Sequence, residues 1–174
     1  MNNPLSTSLG LSKAQGLVAT KFIALLGVAT FLPMFIHSQW LTGPIVNAIL
    51  FLAVAIVGVR EALLIALVPS SVALAYGLLP TPLAPMVPFI MMSNALLIWI
   101  FDILRSRNYW LAVVVASVAK FVWLYAIVHL LMKSLLSAKL LESVAVLMSW
   151  PQLFSALLGG AIAWVVLRWL KFEK

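Results

Sequence analysis

The chain has 174 residues, 65% of them hydrophobic and 9% charged, with a mean hydropathy of +1.18. Soluble domains run at about 45–50% apolar and about 25% charged, so this composition excludes a water-soluble globular fold and points to an integral membrane protein. The net charge of +7 does not imply nucleic acid, because the basic residues sit at the ends of apolar runs, where the positive-inside rule accounts for them; the lack of cysteine removes disulfides, thiolate metal sites and iron–sulfur clusters.

A helix needs about 20 residues to cross ~30 Å of hydrocarbon at ~1.5 Å per residue. The expected fold is therefore all-α, one membrane domain over residues 1–174, with spans at about 14–35, 44–58, 62–79, 89–104, 109–132 and 151–170. The N-terminus, MNNPLSTSLGLS, is polar without a basic n-region, and the apolar run after it exceeds a signal-peptide core, so it reads as a retained span. In that first span Gly16, Thr20 and Ala24 recur every four residues. Such a small face lets helices approach closely, either within the chain or on another subunit.

A loop from Ile36 to Gly43 follows, holding His37, Gln39 and Trp40. Pro44 then reads as the first turn of a short second span, with Asn47 one turn inside. A short span of this kind is one pointer to a binding site in transporters; the plainer reading is a helix extended by Trp40 and Leu41. Gly58 to Glu61 reads as a polar turn, and Pro69 with Ser70 and Ser71 predicts a kink in the third span. Tyr76 lies near the far end of that span. Pro80 to Pro88 carries four prolines in nine residues and is expected to be a stiff loop.

The fourth span carries Asn94 in an oily run, and Asp102 and Arg105 can pair at its end. In the fifth, Ser117, Lys120 and Trp123 share a face. Lys133 to Trp150 is too polar to span and reads as a short interfacial amphipathic helix. The sixth span opens on Trp150-Pro151-Gln152 and carries a second small stripe, Ser155, Gly159 and Ala163, with Gly160 beside it.

Orientation follows from the basic residues. Lys13, Lys21, Arg60, Arg105, Arg107, Arg168, Lys171 and Lys174 fall on one side, Lys133 and Lys139 on the other. That bias places both termini in the cytoplasm. Asn94 then lies ~8–10 Å and Lys120 ~18 Å below the outer boundary at ~1.5 Å per residue, with Asn47, Tyr76 and Gln152 within about two turns of the surface. An ionisable or amide group in hydrocarbon is costly and faces a cavity, a partner or the bundle interior. No intramembrane acid lies at the depth of Lys120, so its ammonium suits a carboxylate, a phosphate or a ring carbonyl; the structural alternative is bonding to backbone carbonyls or Ser117. Trp40, Trp123 and Trp150 have the surface to stack on a planar ligand, although tryptophans also gather at the membrane boundary for their own sake. The two histidines make no metal site, and no P-loop, HExxH, GxSxG or intramembrane acid pair is present, so no cofactor, nucleotide site or proton-driven cycle is expected.

The stretches LTGPIVNAILFLAVAIVG, PSSVALAYGLLPTPLAPMVPFIMMSNALLIWIFD and MSWPQLFSALLGGAIA together resemble the substrate-binding (S) components of energy-coupling factor (ECF) transporters. The resemblance covers nearly the whole chain. It implies a non-enzymatic, multi-pass cell-membrane protein that captures a vitamin or related micronutrient from outside. It also implies partners: a transmembrane coupling subunit and two cytoplasmic ATPases, with ATP hydrolysis carrying the site inward. The first loop, Ile36 to Gly43, would be the gate. The family's Ala-xxx-Ala docking pattern on the first helix is replaced here by Gly16, Thr20 and Ala24. The expected substrate site is Lys120 and Asn94, assisted by Asn47, Gln39 and Gln152, with Trp40, Trp123, Trp150 and Tyr76 around it. Two other readings compete: a non-catalytic assembly subunit whose polar cluster is interhelical glue, and a small membrane-embedded enzyme.

Overall fold

The computed structural model describes residues 4–36, 39–76, 81–132 and 138–170. Among these the chain is helical throughout. The elements are α1 (Pro4–Phe35), α2 (Gln39–Ile56), α3 (Val59–Ala75), a 3₁₀ segment (Thr81–Met86), α4 (Val87–Arg105), α5 (Tyr109–Ile127), a π turn (Val128–Met132), α6 (Ala138–Leu147) and α7 (Trp150–Trp169). Four apolar segments have the length and hydropathy to cross a membrane: Gln15–Phe35, Ala84–Arg105, Tyr109–Leu130 and Val144–Trp169. Trp40–Ile56 is a shorter apolar helix. This is the make-up of a multi-pass membrane protein, and its outer surface agrees: Ile23, Phe31, Phe35, Trp99, Val122 and Trp169 are all exposed.

Several expected boundaries move. The loop from Ile36 to Gly43 is mostly helix, because α2 starts at Gln39, and Pro44 lies inside it rather than at its first turn. A proline there removes the donor for the Trp40 carbonyl. Tertiary contact offsets that loss: Trp40 packs on Trp150 of α7 with ring centroids 5.4 Å apart, and Gly43 lies so close to Ser155 that a Cβ on it would sit 3.1 Å from the serine Cβ. The polar turn shrinks to Gly58, whose φ of +103° breaks the chain, and Arg60 and Glu61 fall in the first turn of α3. The proline-rich segment is also not a plain loop. It winds as 3₁₀ helix over Thr81–Met86 and runs into α4, with Pro88 in the first turn, where no helical donor is lost. The expected end of the third span at Leu79 lies outside the described residues.

Two helix pairs form the frame: α4 lies along α5, and α2 along α7, with α5 joining the pairs by packing on α7. The α4–α5 hairpin turns at Ser106 and Arg107, and α5 is capped by the Asn108 side chain, which accepts from the Leu111 N–H at 3.0 Å. Asn108→Ala is expected to lower stability by about 1 kcal/mol in a reversible unfolding titration. The second small stripe explains the other pair. A Cβ on Gly159 would lie 2.7 Å from Asn47 Cβ and 2.8 Å from both the Ala48 nitrogen and the Pro44 oxygen, so α7 sits directly on the α2 backbone. Gly160 lies against Val113 of α5, and its carbonyl accepts from the Tyr109 hydroxyl at 2.8 Å.

Two apolar clusters fill the interior. The larger gathers Phe51, Ile65, Leu97, Phe101, Val113, Ala116, Ala163 and their neighbours. The smaller gathers Met86, Leu124, Val128, Val144 and Met148. Along α5 the order is Ala116, Lys120, Leu124, and along α4 it is Leu97, Asn94, Ile90. The polar residues therefore occupy the seam between the two clusters. By contrast, among the described residues α1 packs mainly along α2 and α3, and Gly16, Thr20 and Ala24 all face outward, with nothing within 4 Å of a Cβ placed on Gly16.

Candidate functional site

Lys120 is 4% exposed. Its ammonium donates to Asn47 Oδ1 and to Asn94 Oδ1, each at 2.7 Å. Three helices, α2, α4 and α5, thus converge on one cation. Residues 26 and 73 positions away in the chain are brought within hydrogen-bond distance of the same nitrogen. The depth difference expected between Asn94 and Lys120 is bridged by the lysine stem.

The network continues into α7. Asn47 Nδ2 donates to the Gly43 carbonyl at 3.0 Å and to Ser155 Oγ at 3.1 Å, and Ser155 Oγ donates to the Gln152 carbonyl at 3.1 Å. Asn47, Asn94 and Ser155 are all buried. Among the described residues no carboxylate pairs with Lys120; the ion pair that is present, Asp102–Arg105 at 3.0 Å, lies at the other end of α4. Two amide oxygens satisfy hydrogen bonds of the ammonium but leave its charge uncompensated.

The other expected site residues are distributed as follows. Trp40 and Trp150 pack on each other with their rings tilted by 46° at the starts of α2 and α7, roughly 8–10 Å above the Asn47–Ser155 bond at ~1.5 Å per residue. Both are more than half exposed. Trp123 donates its indole N–H to the Phe89 carbonyl at 3.2 Å, tying α5 to the start of α4. The Gln152 amide donates to the Leu147 carbonyl at 3.3 Å, so its backbone rather than its side chain touches the network. Tyr76 is 69% exposed at the end of α3 and does not join the cluster. The side chain of Gln39, like His37, lies outside the described residues.

One residue, Ser155, enters that sequence reasoning had not placed in the site. Ser155 appeared only as a member of a small stripe; its spacing to Gly159 carries no sign of the amide across the interface. Ser117 shares the Lys120 face as expected, but it does not bond the lysine, and its buried hydroxyl has no hydrogen-bond partner among the described residues. A surface cleft of about 470 Å³, lined by Gln15, Val18, Ala19, Phe22, Glu61 and Leu64, lies between α1 and α3 and shares no residue with the cluster. With Lys120 so little exposed, a solute reaches the ammonium only when the side chains or helices above it move.

No protein-family model, curated protein or solved structure matches the chain.

Proposed function

We propose that the chain is the substrate-capturing subunit of an ECF-type micronutrient importer, a six-span cell-membrane protein with both termini cytoplasmic. In this reading a vitamin-like solute enters from outside, is held in the outer half of the bundle, and is handed inward with a coupling subunit and two ATPases; the subunit itself does no chemistry. The observation that carries the reading is the uncompensated Lys120 ammonium, held by amides from two other helices at the seam of the core. A buried cation without a counter-ion is an expensive feature that a bound anion or carbonyl-rich group relieves. The partly exposed Trp40–Trp150 pair above it offers aromatic surface at the entrance.

The outward face of Gly16, Thr20 and Ala24 supports the partner half of the proposal, since no helix among the described residues packs on it. Gly16→Leu and Ala24→Leu should each abolish co-purification with a coupling subunit and ATPases from native membranes, with solute binding unchanged. Normal assembly of both variants would refute the docking face.

The deciding experiment is mass spectrometry of small molecules extracted from the purified protein. A compound present at one per chain establishes solute capture and names the substrate. The closed, mutually bonded state of Lys120, Asn47 and Asn94 favours one rival, an assembly subunit in which the cluster is only interhelical glue. That rival predicts an empty protein that also fails to bring down a coupling subunit and ATPases.

A further inference from the structure

The direction of the hydrogen bonds divides labour within the site. An ammonium has only donors, so both amides must turn their oxygens to Lys120. For Asn47 this leaves two Nδ2 hydrogens, and both are used, on the Gly43 carbonyl and Ser155 Oγ. Ser155 spends its own hydrogen on the Gln152 carbonyl, so towards Asn47 it can only accept. The chain of bonds therefore has one sense, and both Nδ2 hydrogens of Asn47 are used. Asn94 differs. Its oxygen is held by Lys120, while its Nδ2 hydrogens donate to no described group. The third Lys120 N–H is likewise unassigned.

We infer that Asn47 is the strut of this site, not a contact to the bound molecule: anchored by Gly43 and Ser155, it positions the Lys120 ammonium, and the ligand meets the Asn94 amide hydrogens and the remaining Lys120 N–H. The inference rests on the solute-capture reading above and deepens it. All ligand-facing groups are then donors. The group recognised is made of acceptors, a carboxylate or adjoining carbonyl oxygens, and an ammonium or ring N–H is rejected because it would face donors alone.

The test uses the full-length, solute-free protein in lipid nanodiscs, with ¹⁵N-labelled asparagine amides and lysine ammonium groups as the probes, read by hydrogen exchange in NMR. In the native chain the Asn47 side-chain hydrogens should exchange at least about tenfold more slowly than those of Asn94, as one or two ordinary hydrogen bonds dictate. Ser155→Ala should then speed exchange at the Lys120 ammonium by about tenfold while the unfolding midpoint stays close to native. Equal protection of the two amides would overturn the division of labour, and it is measured without any variant. An unchanged Lys120 rate in Ser155→Ala, or one that rises only in step with lost stability, would overturn the strut. Neither rate depends on a bound solute, so an empty protein in the extraction experiment strikes the capture reading and the ligand contacts drawn from it, while the strut stands or falls on these two rates.

Discussion

Lys120→Met is expected to lose the co-purifying solute, with affinity down at least about tenfold, while the protein stays as stable as the native chain or becomes more so. The two halves follow from one geometry. The ammonium is buried and bonded to two neutral oxygens. Its desolvation is costly, and replacing a buried charge by an apolar side chain of similar volume is often neutral or stabilising. Two acceptors, Asn47 Oδ1 and Asn94 Oδ1, lose their donor, which removes part of the gain. For ligand binding nothing offsets the loss, because a charge-assisted bond to a carboxylate or carbonyl contributes about 1.5–3 kcal/mol, and about 1.4 kcal/mol is a factor of ten. Asn94→Ala is the informative companion. It leaves the charge and removes an acceptor, so it should destabilise by about 3 kcal/mol. If Lys120 were structural glue, the order would reverse, with Lys120→Met the more damaging of the two. Unfolding titrations in mixed micelles and a solute assay on the same preparations decide between these outcomes.

Gly159→Ala should cost about 3 kcal/mol, a large effect for one methyl group. The new Cβ would stand 2.8 Å from the Ala48 nitrogen and the Pro44 oxygen. Backbone atoms of a helix cannot step aside singly, so α7 must lift from α2, and overpacking of this kind typically costs about 1–3 kcal/mol. The upper end is expected because the same shift pulls Ser155 from Asn47 and loosens the Trp40–Trp150 contact. Gly16→Ala is the control. Its Cβ meets nothing within 4 Å, so alanine's better helix propensity, worth up to about 1 kcal/mol, should leave stability unchanged or slightly raised. Equal unfolding midpoints for the two variants would show that α2 and α7 are not in the close contact described here.

The membrane class, the helical make-up and the positions of Asn94 and Lys120 as costly intramembrane groups follow from the sequence alone, because hydropathy over about 20 residues and a lone charge in an apolar run are local properties. The Asp102–Arg105 pair is equally local. The start of α2 was legible only as one of two readings, the one in which Trp40 and Leu41 extend the helix. Pro44 signals a first turn, and only the packing of Trp40 and Gly43 on α7 extends the helix back to Gln39. Pro80 to Pro88 misled in the same way, since 3₁₀ winding tolerates proline where its donor is not needed. Sequence reasoning placed Asn47 with Lys120, but the bond between Asn47 and Ser155 was beyond it. Each is an ordinary polar residue on its own helix, and 108 residues separate them. Hydrogen-bond direction is a property of the assembled network: the cation turns both amides, Ser155 saturates one of them, and only the tertiary structure settles which amide keeps free donors.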